Sequence, residues 1–214
     1  MNVLVAGANG YTGRLIIQKL AADGGHHPYA MVRNAEQAEL LKKLGAEQVI
    51  VADLEAQDLR EAVNGCDAVI FAAGSGSKTG PEKTITVDQE GAKRLIAAAK
   101  AGGVRHFVML SSIGAEHPYG AIKHYHEAKG KADRYLKESG LDYTIVRPGR
   151  LTHDAAKGTV EIQTHFENHE GRDIPRADVA HVLVASLDKP HVKNKTFEVL
   201  SGQVAIEEAL QDVQ

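Results

Sequence analysis

Tyr125 and Lys129 stand four residues apart in Tyr125-His126-Glu127-Ala128-Lys129, with Ser111-Ser112 a short way upstream. On a helix, residues i and i+4 share a face, so this spacing sets the Lys129 ammonium near the Tyr125 hydroxyl. A neighbouring cation stabilises a phenolate, and it is expected to lower the tyrosine pKa from about 10 towards neutrality, making Tyr125 a usable general acid or base. A serine hydroxyl opposite would hydrogen-bond a substrate oxygen and hold it for hydride transfer. Tyr and Lys meet at this spacing by chance in many helices. The set gains weight from its place, after a serine pair that closes one apolar run and before another apolar run.

A second chemistry-bearing set opens the chain. Asn2-Val3-Leu4-Val5-Ala6 runs into Gly7-Ala8-Asn9-Gly10-Tyr11-Thr12-Gly13, which reads as a strand, a glycine turn and a helix start. Gly7 allows a tight turn, Gly10 lets a diphosphate approach backbone N–H groups, and Gly13 lets the helix pack close to the strand with its positive end towards the ligand. Asn9, Tyr11 and Thr12 belong to the same expected cofactor-binding turn. Arg33 ends the second predicted strand, where an NAD-binding chain usually places an acidic residue for the ribose 2′-hydroxyl. An arginine suits a 2′-phosphate instead, so NADP(H) is the expected cofactor and NAD(H) the alternative. Arg14 either closes on the same phosphate or is solvated surface. Asp53-Leu54 borders the adenine, or Asp53 caps the helix that follows. Ala72-Ala73-Gly74 places small residues where a ribose must pass close to the backbone, or is ordinary strand-to-loop punctuation.

With Arg147-Pro148-Gly149 after a later strand, these sets resemble the short-chain dehydrogenase/reductase superfamily over nearly the whole chain. In detail the chain resembles the atypical branch of small bacterial NAD-dependent epimerase/dehydratase-like proteins, with NmrA-like and biliverdin/flavin reductase-like relatives. The three-residue glycine spacing is that of the extended enzymes, sugar-nucleotide epimerases among them. The resemblance implies Ser112 as the substrate-binding hydroxyl, Tyr125 as the acid/base and Lys129 as the holder of the nicotinamide ribose. It puts Ser111 on the cofactor side and Pro148-Gly149 beside the nicotinamide. Two features depart from the pattern. Asp88 stands where the superfamily has an Asn, on one helical stripe with Ala92, Leu95 and Ala99. Its carboxylate either points inward to hold Lys129, directly or through water, or caps or pins a helix kink. The tail after Arg150 is also too short for a nucleotide-sugar domain.

The elements that must position these residues follow an α/β rhythm. Apolar runs alternate with amphipathic stretches, predicting a Rossmann-type doubly wound parallel sheet with helices on both faces. Strands are expected at Asn2 to Ala6, Tyr29 to Val32, Gln48 to Val51, Ala68 to Ala72, His106 to Leu110 and Tyr143 to Val146. Helices are expected at Tyr11 to Ala22, Ala35 to Leu44, Gln57 to Val63, Lys83 to Ala101 and Ile122 to Ser139. Gly74 to Pro81 reads as a loop that orders on binding. The tail reads as an edge strand at Thr159 to Gln163, a helix at Arg176 to Leu187, a strand at Thr196 to Leu200 and a helix at Ile206 to Val213, forming a small substrate-side extension of one domain.

The chain's 214 residues, 43% apolar, suffice for a full core, and its net charge of −3 without long runs of one sign argues against a nucleic-acid partner. A small-molecule substrate fits better; the sequence is silent on oligomeric state, although exposed helix faces in such folds often pair into homo-oligomers. The lone Cys66 excludes an internal disulfide. No segment reads as a signal peptide or membrane span, which points to the cytoplasm. His165-Phe166-Glu167-Asn168-His169 lacks the glutamate placement of a zinc helix, so no metal is expected. The leading expectation is an NADP-dependent oxidoreductase or epimerase-like enzyme, and the alternative is a sensor that binds NADP(H) without chemistry. The Ser-Tyr-Lys set favours the enzyme, whereas Asp88 and the short tail favour the sensor.

Overall fold

The computed structural model describes residues 1–76, 79–169 and 171–213. Strand β1 (Asn2–Ala6) leads through the glycine turn into α1 (Tyr11–Asp23), then β2 (His27–Val32), α2 (Ala38–Lys43), β3 (Gln48–Val51) and β4 (Ala68–Phe71). A short turn of helix, α3 (Pro81–Lys83), enters a π-helical stretch at Thr84–Gly91 and then α4 (Ala92–Ala101). Next come β5 (His106–Leu110), α5 (Lys123–Glu138) and β6 (Tyr143–Pro148). The tail adds β7 (Arg150–Thr152), β8 (Thr159–Gln163), β9 (Asp173–Pro175), α6 (Arg176–Ala185), β10 (Lys195–Ser201), β11 (Val204–Ala205) and α7 (Ile206–Ala209).

Among the described residues the main sheet runs β11-β8-β10-β6-β5-β4-β1-β2-β3. All pairings from β3 through β10 are parallel, so this is the doubly wound Rossmann-like α/β fold. Each sheet face is covered by its own apolar cluster. Val3, Val5, Ile16 and Leu183 belong to one, while Leu4, Phe71, Leu95 and Phe107 belong to the other. Strands buried on both faces cannot alternate apolar and polar residues, which is why they read as continuous apolar runs. The strand order reverses between β1 and β4, and the crevice outside their carboxyl ends is where the candidate site lies. Among the described residues no helix is long and apolar enough to cross a membrane.

Several expected elements differ. The helix expected at Gln57 to Val63 is a single 3-10 turn at Glu61–Val63, because Asp58 ties the Arg60 N–H and guanidinium and leaves too few residues for a nucleus. The continuous helix expected from Lys83 to Ala101 is interrupted by the π-helical stretch, whose extra residue per turn buries Asp88 and Gln89 together. Thr159 to Gln163 is not the edge of the sheet: β8 lies between antiparallel β10 and the two-residue β11. The helix expected from Ile206 to Val213 stops at Ala209. Strands β7 and β9, which sequence reasoning missed, pair in a separate two-stranded sheet. They are only three residues each, too short for periodicity to register. In the loop expected at Gly74 to Pro81, Ser77 and Lys78 lie outside the described residues.

Candidate active site

A cleft of about 870 Å³ opens at the strand switch, lined by the glycine turn, Arg33, Asp53, Leu54, Ala72 to Gly74, Asp88, Ser111, Tyr125 and Lys129. Gly7 takes φ +80°, and a Cβ there would stand 2.5 Å from Ala73 Cα. A Cβ on Gly13 would stand 2.2 Å from the Gly7 oxygen. Turn, helix and fourth strand are therefore clamped together, and only glycine permits it. Gly10 instead is exposed to the cleft, and a Cβ there would have the Gly7 oxygen, at 3.2 Å, as its one close neighbour among the described residues. The first turn of α1 has neither a capping side chain nor an acidic residue. Its N–H groups, unpaired within any helix, thus present uncompensated positive potential to the cleft. This donor set fits a dinucleotide diphosphate.

Arg33 is exposed at the far end of the cleft and makes no ion pair among the described residues. Arg14 does not line the cleft: its Nη2 and Nε bond the Asn9 side chain at 2.7 and 3.2 Å, and its Nε the Asn9 carbonyl at 3.0 Å. Asp53 lines the cleft while its Oδ1 accepts the Glu55 N–H at 2.9 Å, so it serves the following turn and faces the ligand space at once.

The π-helical stretch delivers Asp88 to the cleft floor. Its Oδ2 accepts the Ser75 N–H at 2.9 Å, and its Oδ1 stands 3.9 Å from Lys129 Nζ, with no hydrogen-bond partner among the described residues. Both side chains are almost wholly buried, at 0% and 3% exposure, so the charges face each other with little screening. The expected inward carboxylate is thus present, facing Lys129. The ammonium lies 5.9 Å from the Tyr125 ring centroid and 5.7 Å from that of Phe71. The expected fall in the Tyr125 pKa does not occur. Burial raises it, outweighing the Lys129 attraction, and the Asp88 and Asp133 charges push the same way.

Asp133 extends the helical stripe one more turn, at i+4 from Lys129. Its buried Oδ2 accepts from Ser111 Oγ at 2.8 Å and from Arg147 Nε at 3.1 Å, and Arg147 Nη1 reaches Glu116 Oε2 at 2.6 Å. Burial opposes the Arg147 charge, and Asp133 and Glu116 outweigh it. Sequence reasoning missed this network. The clue was an acidic residue completing a Tyr-Lys-Asp stripe at four-residue steps.

A second cavity of about 480 Å³ adjoins the cleft. Ser111, Ile122, Tyr125, Leu151 and Arg176 line both and form the rim between them. Ser112, Pro148 and Gly149 line the second cavity, with the Ser112 hydroxyl donating to the Ile113 carbonyl at 3.0 Å. Tyr119 lines the same cavity and is exposed, and its hydroxyl meets His169 Nε2 at 2.7 Å. His126 is buried against the Tyr119 ring, with centroids 4.8 Å apart, and burial lowers its pKa. Burial pushes the Cys66 thiol up to about 11, away from nucleophilic use. Among the described residues no three His, Cys, Asp or Glu side chains group to hold a metal.

A family profile described as NAD(P)H-binding matches residues 7–190. The Bacillus subtilis protein YhfK, named an uncharacterized sugar epimerase, is 41% identical over 98% of this chain and 99% of its own. A solved structure from Bacillus halodurans, named as an NAD-dependent epimerase/dehydratase, is 44% identical and has a TM-score of 0.96, covering 100% of both chains. The oxidoreductase ylbE of Lactococcus lactis is 30% identical, with a TM-score of 0.85 over 99% of this chain and 95% of its own.

Proposed function

The chain belongs to the NAD(P)H-binding family, and from that premise we propose that it is an NADP-preferring oxidoreductase exchanging hydride with a small carbonyl or alcohol. The observation that carries this reading is the convergence in one cleft of the buried Asp88–Lys129 pair with Tyr125 and Ser111, the latter two on the rim shared with the second cavity. The nicotinamide, when bound, supplies or accepts the hydride. Backbone N–H groups of the turn from Gly7 to Gly13, with Asn9, Tyr11 and Thr12, would hold the diphosphate, and Arg33 the 2′-phosphate. Asp53 and Leu54 would border the adenine, Ala72 to Gly74 would pass the ribose, and Lys129 would hold the nicotinamide ribose.

Tyr125 keeps its proton at neutral pH, which suits a general acid that protonates a carbonyl oxygen during reduction. Lys129 then stabilises the phenolate left behind, with the Asp88 carboxylate 3.9 Å from its ammonium in the buried floor. Ser112 orients the substrate oxygen from the second cavity. Ser111, tied to Asp133, fixes the end of β5 against α5, and Pro148 and Gly149 close the substrate side. The name of the Bacillus subtilis relative favours a second reading, in which one substrate is oxidised and re-reduced with no net cofactor turnover. NADPH oxidation across quinones, flavins, aldehydes and ketones, repeated with Tyr125→Phe, tests the proposal. Turnover that is lost in the variant while NADP affinity is retained supports it; turnover unchanged in the variant refutes the role of Tyr125.

A further inference from the structure

The second cavity carries charge that proton and hydride exchange do not require. Arg150, Arg172 and Arg176 line it, against Asp173 as the one carboxylate among the described lining residues. Arg150 is neutralised by Asp173. Arg172 is paired with Glu161 at 2.5 Å and lies over the Phe166 ring, 5.1 Å from its centroid. Arg176 differs from both. It makes no ion pair among the described residues, and its one described hydrogen bond runs from Nη1 to the Leu151 carbonyl at 3.0 Å.

That single bond leaves most of the five guanidinium N–H donors uncommitted. The group is nonetheless oriented, because its guanidinium carbon stands 5.8 Å from the Tyr11 ring centroid and the side chain is partly buried on the rim shared with Tyr125. The nearest acidic residue of α6, Asp178, does not neutralise it. The Asp178 carboxylate is buried and consumed by the N–H groups of Lys157 and Gly158, at 2.9 to 3.1 Å. A partly desolvated, preorganised guanidinium without a counter-charge is an anion site, and its planar fork matches a carboxylate or a phosphate.

Resting on the reading of the cleft as a hydride-exchange site, we propose that the substrate carries a carboxylate or phosphate that docks on Arg176 while its carbonyl faces Tyr125. Arg150 and Arg172 are each held by a carboxylate of their own, so the docking charge is that of Arg176.

The test uses two matched pairs of probes, 4-carboxybenzaldehyde with its methyl ester, and glyceraldehyde 3-phosphate with glyceraldehyde. Binding to the NADP⁺-loaded protein is measured by calorimetry, so that no turnover is needed. At least one charged probe is expected to bind about tenfold or more tighter than its neutral partner. The pair that shows the gap tells carboxylate from phosphate. In Arg176→Gln the gap should close to within about threefold, while Arg176→Lys should keep part of it, and NADP⁺ affinity should stay within about threefold of wild type. Equal binding within both pairs, absence of binding by every probe, or a gap that survives Arg176→Gln would overturn the proposal. A large loss of NADP⁺ affinity with the gap intact would instead assign Arg176 to the cofactor. If the gap holds but NADPH reduces no carbonyl, the hydride reading fails and the anion site stands. If charged and neutral aldehydes are bound and reduced equally well, the reverse is true.

Discussion

Replacing Asp88 by Asn leaves an acceptor for the Ser75 N–H but removes the charge that faces Lys129 across 3.9 Å. Breaking a buried ion pair by removing one partner costs about 3–5 kcal/mol, because the other charge stays buried alone. The separation exceeds a direct hydrogen bond, so the lower end, about 3 kcal/mol, is the appropriate figure. For a chain of this size each kcal/mol moves the melting temperature by about 2–4 °C, giving a fall of about 6–12 °C. Thermal melts and urea titrations of Asp88→Asn, Lys129→Met and the double variant measure it. The double variant should be less destabilised than the sum of the singles by about 2 kcal/mol. Additive effects would refute the buried-pair argument.

Other outcomes follow from the same geometry. Gly13→Ala should lose about 3 kcal/mol or fail to fold, since its Cβ would meet the Gly7 oxygen at 2.2 Å, whereas Gly25→Ala, with nothing within 4 Å, should change urea stability by less than about 0.5 kcal/mol. Arg33→Ala should reduce the NADP-to-NAD affinity ratio about tenfold by calorimetry, and an unchanged ratio would remove Arg33 from the 2′-phosphate. Burial lowers the His106 pKa from 6.5 to about 4. Its stabilising contribution is thus present above pH 6.5 and lost as pH falls through about 4, roughly 3 kcal/mol in all, and urea midpoints in that window should flatten in His106→Gln.

The fold was readable because strands buried on both faces must be continuous apolar runs and their crossover helices must be amphipathic. The glycine turn was readable because only glycine survives the approach of Ala73 and of Gly7 itself. Short elements without a period, such as β7 and β9, leave no such trace. The π-helical stretch is invisible to a reading at 3.6 residues per turn, although its product, an inward Asp88, lies on the stripe that such a reading draws. Local spacing also misjudged Tyr125: four-residue proximity to Lys129 predicts a lowered pKa, but burial is set by the whole fold and wins. Arg14 failed for a similar reason, since Asn9 five residues earlier captures it before any ligand could. The arginines of the second cavity come from a tail whose sequence carries no motif, and the pairing of β7 with β9 brings Arg150 to the second cavity and Arg176 to its rim.

The most direct measurement of the central proposal is isotope transfer from NADPH deuterated at both C4 positions of the nicotinamide. With an accepted carbonyl substrate, deuterium should appear on the product's carbinol carbon, and transfer should fall at least about a hundredfold in Tyr125→Phe with NADP affinity unchanged. NADPH consumption that leaves no deuterium in the product, or transfer undiminished in Tyr125→Phe, would contradict the account.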